Sequence, residues 1–200
     1  MKNRPSWDEI FMFQAINWAT RHTCLKRGVG AVLAKNNEIV STGYNGAACG
    51  ITSCRELGYC YYDNLASIDS KKNKEDFSSI RESFKIYCLA VHAEANSLSQ
   101  CSKRDAEGGT LYITNYPCPR CTQDVIITNK IAAIRIWKGY LENLYLTIDE
   151  KRASERKLLE AGISVDYISL SRKRIMEIAA YMANNVGERT NYKFLQSKNS

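Results

Sequence analysis

The sequence predicts an α/β fold in which helices flank a mixed sheet of about five strands. A hairpin pattern comes first, with strand-like runs over residues 29–34 and 38–43 and a turn at Lys35-Asn36-Asn37. Helical and strand-like patterns then alternate through the rest of the chain. A hairpin gives antiparallel pairing, and alternating helices and strands give parallel pairing. The sheet is therefore expected to contain both kinds.

The individual elements follow from local signals. Ser6 and Glu9 form a capping-box pattern, and apolar residues recur at helical spacing as far as residue 20. The later predicted elements are helices over 90–101, 118–129, 149–161 and 171–186 and strands over 110–114, 131–137 and 163–168. Gly162 closes the helix over 149–161, and Pro117 suits the start of the helix over 118–129.

Residues 44–76 show neither helical nor strand periodicity and are rich in Gly, Cys, Tyr, Ser and Lys. A loop of this length in a compact domain is functional, pinned by other groups or partly disordered. We therefore predict a main domain over residues 1–170 with a loop insertion at about 47–85. A C-terminal helix and polar tail are predicted over 171–200.

Composition narrows the class of protein. The chain has 200 residues and a net charge of +7, which suits an anionic partner. The basic residues are scattered rather than clustered, so a nucleic-acid partner is not expected. No apolar run is long enough to span a membrane and no signal peptide is evident, which predicts a cytoplasmic protein. Eight cysteines in such a chain point to metal binding rather than disulfides.

Two short motifs together indicate a metal-dependent reaction centre. His92 is followed by Glu94, and Cys118 is separated from Cys121 by two residues after Pro117. Cysteines at i and i+3 share one helical face, so both thiolates can bind one zinc ion. His92 as third ligand leaves the fourth tetrahedral position for water, as in catalytic zinc sites.

Glu94 has a separate role in this interpretation. Residues i and i+2 point to different sides of a helix, so Glu94 is poorly placed to join His92 as a ligand. A carboxylate beside the metal but outside its ligand set can take a proton from the water and pass it on. The combined H-x-E…P-C-x-x-C pattern is typical of zinc-dependent nucleobase deaminases. Taken alone, C-x-x-C also fits a structural zinc half-site or a redox pair.

Segments beyond these motifs resemble the deoxycytidylate (dCMP) deaminase family of zinc-dependent cytidine deaminases. The resembling segments are RPSWD at 4–8, CLKRGVGA at 24–31, STGYNG at 41–46, LYIT at 111–114, PC at 117–118 and LEAGI at 159–163. The similarity runs from residue 4 to about residue 168. It implies a three-layer cytidine-deaminase-like fold and hydrolytic deamination of dCMP to dUMP, which feeds thymidylate synthesis.

The resemblance also implies roles for single residues. His92, Cys118 and Cys121 bind zinc, and Glu94 transfers protons. Substrate contacts are implied for Lys26, Arg27, Asn45 and Ala93, with Lys26 and Arg27 near the phosphate. A solvated surface position is the alternative for these two basic residues. The family implies a homo-oligomer, with a hexamer as one form, and dCTP and dTTP as effectors, with Mg²⁺ accompanying dCTP.

Four further cysteines predict a second, structural zinc site. They are Cys24, Cys54, Cys60 and Cys88, and four thiolates would pin the long loop. The resembling family carries cysteines in comparable segments. Here, however, Ser53 stands where a histidine often precedes the first loop cysteine, and the gap from Cys54 to Cys60 is one residue longer. Buried free cysteines are the alternative, and Cys49 could replace one member.

Other functions remain open from the sequence. Deamination of dCTP, of free cytidine or of adenosine in tRNA would use the same chemistry. A non-catalytic zinc-binding module is the alternative from a different class, but such a module has no use for the proton-transferring Glu94.

Overall fold

The computed structural model describes residues 4–73, 76, 83–139 and 146–185. Its helices are α1 (Trp7–Ala19), α2 (Cys54–Leu57), α3 (Tyr61–Asn73), α4 (Ala93–Leu98), α5 (Lys103–Ala106), α6 (Ile148–Glu160) and α7 (Arg172–Asn185). A 3₁₀ turn covers Phe84–Tyr87 and a π-helical segment covers Cys121–Ile127. The strands are β1 (Gly30–Lys35), β2 (Glu38–Tyr44), β3 (Gly46–Ala47), β4 (Ala90–Val91), β5 (Thr110–Ile113), β6 (Ala133–Trp137) and β7 (Ser164–Ile168).

Within the described residues, five strands form one mixed sheet in the order β2-β1-β5-β6-β7. The β1 strand pairs antiparallel with both β2 and β5, and the β5–β6 and β6–β7 pairs are parallel. The predicted mixed α/β sheet is therefore confirmed. Strands β3 and β4 form a separate antiparallel pair, with Gly46 opposite Val91.

The sheet is buried on both faces, because alternate residues of its central strands enter two different cores. Ala31 and Leu33 of β1 pack with Leu98 and Leu158 from helices on one face. Val32 of β1 packs on the other face with residues of α1 and α7. The result is the predicted three-layer arrangement, with the sheet between two helical layers.

Local sequence signals place α1 and the hairpin as predicted. The Ser6 hydroxyl accepts a hydrogen bond from the Glu9 N–H, and the Glu9 carboxylate accepts one from the Ser6 N–H. Asn36 and Asn37 both have positive φ values, of 53° and 63°. Asparagine tolerates this conformation better than most residues do, and such a turn matches the twist of a hairpin.

The structure corrects the prediction that residues 44–76 are irregular, because α3 occupies Tyr61–Asn73. Only Tyr62 and Ala66 of this helix are buried, so its apolar face is too narrow to show in the sequence pattern. The helix predicted over 90–101 is also shorter, since Ala90–Val91 is strand and α4 covers Ala93–Leu98. The parts of the insertion at 74–75 and 77–82 lie outside the described residues.

The C-terminal helix packs against the first one. Arg174 contacts Glu9 through two hydrogen bonds of 2.6 and 3.0 Å, and Ile178 is fully buried in the core beside α1. The prediction that a unit separate from the main domain begins at residue 171 stays a prediction. The tail predicted over 187–200 lies outside the described residues. No helix in the described part of the chain has the length and apolar character to cross a membrane.

Candidate active site

The helix that carries Glu94 is seated directly on the sheet. A Cβ atom at Gly43 would lie 2.4 Å from both the Ala93 carbonyl oxygen and the Ser97 nitrogen, so the β2 and α4 backbones touch there. The Ser41 and Ser97 hydroxyls share a buried hydrogen bond of 2.9 Å between the same two elements. The position of α4 is therefore fixed by main-chain contact with β2.

His92 and Glu94 occupy different environments at the start of α4. His92 is the N-cap residue and is exposed as a whole, although its Nδ1 atom lies against the two cysteine sulfurs. Glu94 lies in the first turn and is only 4% exposed. Burial raises the pKa of the Glu94 carboxyl above its usual range, although the nearby His92 acts in the opposite direction. A buried carboxyl with a raised pKa suits both accepting and donating a proton.

The two cysteines of the C-x-x-C motif lie just beyond the end of β5. The chain becomes helical at Pro119 rather than directly after Pro117, which corrects the predicted position of the first turn. The Ser154 hydroxyl donates to the Pro117 carbonyl at 3.1 Å, so α6 holds this loop from behind. The backbone N–H of Cys121 donates to the Cys118 sulfur at 3.4 Å.

The Cys118 sulfur thus accepts a hydrogen bond from the Cys121 backbone N–H at the start of the helix. Hydrogen bonding with Cys121 and His92 holds the pKa of the Cys118 thiol well below its usual range. Thiols at helix N-termini are commonly stabilised as thiolates in this way. The Cys118 sulfur is therefore suited to bind a metal ion as a thiolate.

His92, Cys118 and Cys121 form what we call the metal trio. The Nδ1 atom of His92 lies 3.6 Å from the Cys118 sulfur and 3.4 Å from the Cys121 sulfur. A tetrahedral zinc with Zn–S of about 2.3 Å and Zn–N of about 2.0–2.1 Å requires an S···N separation of about 3.6 Å. The donor atoms all lie within 4.8 Å of one another, so this trio fits zinc in both chemistry and spacing.

The segment after Cys121 departs from regular helix geometry. Cys121–Ile127 is π-helical, which is rare and frequent at functional sites. Thr122 is fully buried, and its hydroxyl is a buried polar group without a hydrogen-bond partner among the described residues. A regular helix would let such a hydroxyl donate to the carbonyl one turn earlier.

The metal trio opens onto a cleft that also contains every residue predicted to contact substrate. The lining residues include Lys26, Arg27, Asn45, Ala93, Glu94, Asn115, Tyr116 and Leu146. Arg27 lies close enough to His92 and Glu94 to lower the pKa of each as a minor influence. The structure therefore brings the sequence-predicted residues together, while their individual roles stay predictions.

Two of these residues already have partners. The Asn45 amide accepts a hydrogen bond from the Val29 N–H at 2.7 Å and donates to the Arg27 carbonyl at 3.0 Å. Asn45 therefore shapes the loop that carries Arg27. The Lys26 ammonium forms a 2.6 Å ion pair with Asp63.

Sequence reasoning missed three kinds of contributor to this site. Asn115 and Tyr116 line the cleft between the end of β5 and the cysteine motif, where no motif marks them. Ser154 donates a hydrogen bond to the cysteine loop from α6, a helix whose charged sequence indicates a solvent-exposed face. From α3, Tyr62 lines the cleft and Asp63 pairs with Lys26, and only the prediction of a helix in that segment could have indicated them.

Cys24, Cys54, Cys60 and Cys88, which we call the outer cysteines, are more loosely arranged. Desolvation raises the pKa of the Cys88 thiol although the residue as a whole is exposed, and the nearby Cys24 and Cys54 add to this effect. Burial similarly raises the pKa of Cys60, with a small addition from Cys54. Of the residues described, the metal trio alone has three metal-binding atoms within 4.8 Å of one another.

A histidine, two cysteines and a buried glutamate on a three-layer α/β fold are typical of zinc-dependent nucleobase deaminases. Residues 5–137 match the family model of the cytidine and deoxycytidylate deaminase zinc-binding region. The chain belongs to this family, which confirms the prediction made from its motifs.

Individual relatives agree with this assignment. The chain is 38% identical to the deoxycytidylate deaminase of Mycobacterium phage D29 over 120 residues, which covers 60% of this chain and 86% of that protein. It is 31% identical to the deoxycytidylate deaminase of Saccharomyces cerevisiae over 171 residues, covering 85% of this chain and 47% of that protein. The match to the Schizosaccharomyces pombe deoxycytidylate deaminase is 38% identical but covers 33% of its length. This chain therefore spans about half or less of the two fungal relatives.

Among solved structures, the fold resembles the dCMP deaminase of cyanophage S-TIM5 in complex with dCMP and dUMP. The TM-score is 0.55 at 20% sequence identity, with coverage of 82% of this chain and 98% of that chain. At this level of identity the similarity supports the fold.

Proposed function

We propose that this protein catalyses the hydrolytic deamination of dCMP to dUMP, with release of ammonia. The observation that carries the proposal is the metal trio beside a buried Glu94 that lies outside the ligand set. The deoxycytidylate deaminases among its relatives support the choice of substrate. We further propose that the dUMP feeds thymidylate synthesis.

The metal trio would hold zinc, and zinc when bound supplies Lewis-acid activation of water. Glu94 takes one proton from the attacking water as the C4–O bond forms and delivers it to N3 of the cytosine ring. It then takes the remaining proton from the new C4 hydroxyl and delivers it to the amine, so that the C4–N bond breaks as the C4 carbonyl forms. Water thus supplies the new oxygen, and ammonia carries away the amine nitrogen. Because Glu94 is buried, its carboxyl has a raised pKa, which suits this alternation between base and acid.

The walls of the cleft would orient the nucleotide. Asn45 fixes the loop that presents Arg27, and Arg27 lies near the reacting groups. A guanidinium can bind phosphate through two parallel hydrogen bonds, so Arg27 suits the 5′-phosphate. Ala93 lines the same cleft beside Glu94 and would contact the base through its backbone.

The decisive experiment is an ammonia-release assay on purified, zinc-loaded protein with dCMP, dCTP, deoxycytidine and a tRNA anticodon stem. We expect dCMP to give the highest kcat/KM and a chelator to abolish turnover. Preference for dCTP, the free nucleoside or tRNA would replace the substrate while keeping the chemistry. Absence of ammonia from all four would favour a non-catalytic zinc-binding module.

A second zinc at the outer cysteines is part of the proposal. Their mutual influence on pKa supports a shared neighbourhood, and thiolates are strong zinc ligands. Metal binding would draw the sulfurs together and tie α2 and the start of α3 to the loop before β1. Zinc quantitation tests this directly, with about two equivalents per chain expected.

We also propose a cytoplasmic homo-oligomer, with a hexamer as one form, regulated by dCTP with Mg²⁺ and by dTTP. Exposed apolar side chains support association, since Ile148 is 72% and Leu159 is 80% exposed on α6. Light scattering with and without each nucleotide tests both the assembly and the regulation.

A further inference from the structure

Helix α3 brings an acid and a phenol against a lysine of the cleft. The Lys26 ammonium lies 2.6 Å from the Asp63 carboxylate and donates to the Tyr62 hydroxyl at 2.5 Å. The same ammonium lies 3.9 Å from the centre of the Tyr62 ring. Three favourable contacts therefore converge on one cation at the edge of the substrate cleft.

These contacts keep the Lys26 side chain protonated, and the Asp63 carboxylate balances its positive charge. Burial lowers the pKa of Lys26, but hydrogen bonds with Asp63 and Tyr62 raise it overall, so the side chain remains an ammonium. For a phosphate farther from the pair than the 2.6 Å that separates its two charges, the distances to the ammonium and to the Asp63 carboxylate would differ little. Because Coulomb energy varies with the inverse of distance, the attraction and the repulsion nearly cancel.

The pair is positioned to affect the substrate rather than only the surface. Lys26 lines the cleft together with Arg27 and Glu94, and its side chain is 23% exposed. Asp63 is similarly shielded, at 29%. Salt screens partly buried charges less than exposed ones. Removing one charge of the pair should therefore change the affinity for a bound anion.

We propose that Asp63 is a specificity-determining residue that limits the negative charge of the nucleotide accepted in the cleft. By neutralising Lys26, it removes the attraction that would favour di- and triphosphates over the monophosphate. The inference rests on the proposed function, since it concerns the phosphate end of the same substrate. Asp63 acts through Lys26 and does not take part in the reaction.

Binding of product-like ligands with increasing charge tests this inference without requiring turnover. Calorimetric titration of zinc-loaded protein would use deoxyuridine, dUMP and dUTP at fixed ionic strength without Mg²⁺. We expect Asp63→Asn to tighten dUMP on the order of threefold and dUTP on the order of tenfold, and to leave deoxyuridine unchanged. The matched control is Asp69→Asn, the same change farther along α3, which we expect to leave all three affinities within about twofold.

A double variant separates neutralisation of Lys26 from direct repulsion by Asp63. If the increase in dUTP affinity is caused by the Lys26 ammonium once it is no longer paired with Asp63, the double variant Lys26→Gln, Asp63→Asn returns the dUTP affinity to near the wild-type value. Persistence of the gain in the double variant overturns the inference. The inference is also overturned if Asp63→Asn increases the affinity for dUTP no more than the affinity for dUMP. The same holds if Asp69→Asn increases these affinities as much as Asp63→Asn does.

The outcomes for the proposed function are distinct. Wild-type protein that deaminates dCMP while Asp63→Asn shows no dependence on ligand charge overturns only the role of Asp63. Wild-type protein that binds neither dUMP nor dUTP and deaminates no substrate overturns the proposed function instead.

Discussion

The metal trio and the outer cysteines use the same ligand chemistry in different physical settings. The trio sits where the start of α4 meets the segment that follows β5, and its donor atoms already lie within 4.8 Å of one another. The outer cysteines lie on α2, on short connections and beside the 3₁₀ turn, and they range from buried to exposed without three sulfurs within 4.8 Å of one another among the described residues. Packing alone assembles the first site. The second would require the metal itself to complete its geometry.

This difference predicts how each site should respond when one of its ligands is removed. A ligand set preorganised by the core loses function when one ligand is removed, but the fold around it persists. A ligand set drawn from loops contributes to local folding, so removing one ligand should loosen the surrounding segment. The predictions below test this contrast, beginning with the largest expected effect.

Replacing Cys118 by serine should abolish activity and remove about one equivalent of zinc. The sulfur whose thiolate form is favoured by hydrogen bonding would be lost, and the two remaining predicted ligands would hold zinc weakly. Turnover of dCMP and zinc content by mass spectrometry measure the two effects. Cys101→Ser is the matched control, because Cys101 packs against the core away from the metal trio. Full activity in Cys118→Ser would refute the assigned ligand set.

Replacing Glu94 by glutamine should lower kcat by about 10²–10⁴-fold, the usual contribution of general acid–base catalysis. Zinc content should stay at the wild-type level, because Glu94 is not among the trio's donors. Rapid-quench or spectrophotometric assays of dCMP loss give the rate. Glu107→Gln on the exposed surface is the control. Loss of zinc in Glu94→Gln would mean that this carboxylate is a ligand.

Replacing Cys60 by serine should reduce zinc from about two equivalents to about one while most of the dCMP activity is retained. Hydrogen exchange should become faster in α2 and α3, since the outer cysteines would no longer tie these helices down. Cys101→Ser, which changes a cysteine packed against the core and outside both proposed ligand sets, is the control. A wild-type protein that binds only one zinc would leave the outer cysteines as ordinary thiols.

The smallest expected effect comes from breaking the contact between α1 and α7, which involves neither the metal trio nor the outer cysteines. Hydrogen bonding to Arg174 holds the pKa of Glu9 at about 2, below its ordinary value of 4.5. The stabilisation is therefore fully present above about pH 4.5 and is lost as the pH falls toward 2. Urea unfolding should show Arg174→Met less stable by about 1 kcal/mol at pH 7, a value typical of partly exposed pairs, with the difference shrinking near pH 3. A difference that is constant with pH would contradict this assignment.

Features set by neighbouring residues could be predicted from the sequence. The capping box of α1 and the two asparagines of the hairpin turn are local signals, and both elements form where they predict. The spacing of Cys118 and Cys121 is likewise local, whereas His92 joins them through tertiary packing and was linked to them because the combined motif is typical of zinc-dependent nucleobase deaminases. The roles of the three residues stay predictions.

Features that depend on distant packing could not be predicted. Helix α3 buries only Tyr62 and Ala66, so the sequence lacks the broad apolar face that normally marks a helix. The pairing of Lys26 with Asp63 follows from the orientation of that helix and has no signature in either segment. The partners of Asn45 were likewise hidden, since its amide binds backbone groups rather than another motif.

The contact at Gly43 has a consequence for how this enzyme can change over time. Side chains in a core can be exchanged for others of similar volume, but here a strand and the start of α4 meet with nothing between them. The position of Glu94 in the cleft is thus set by the packing of α4 against the hairpin. A single methyl group added at Gly43 would displace the start of α4, and Glu94 with it, without contacting the Glu94 side chain or the metal trio.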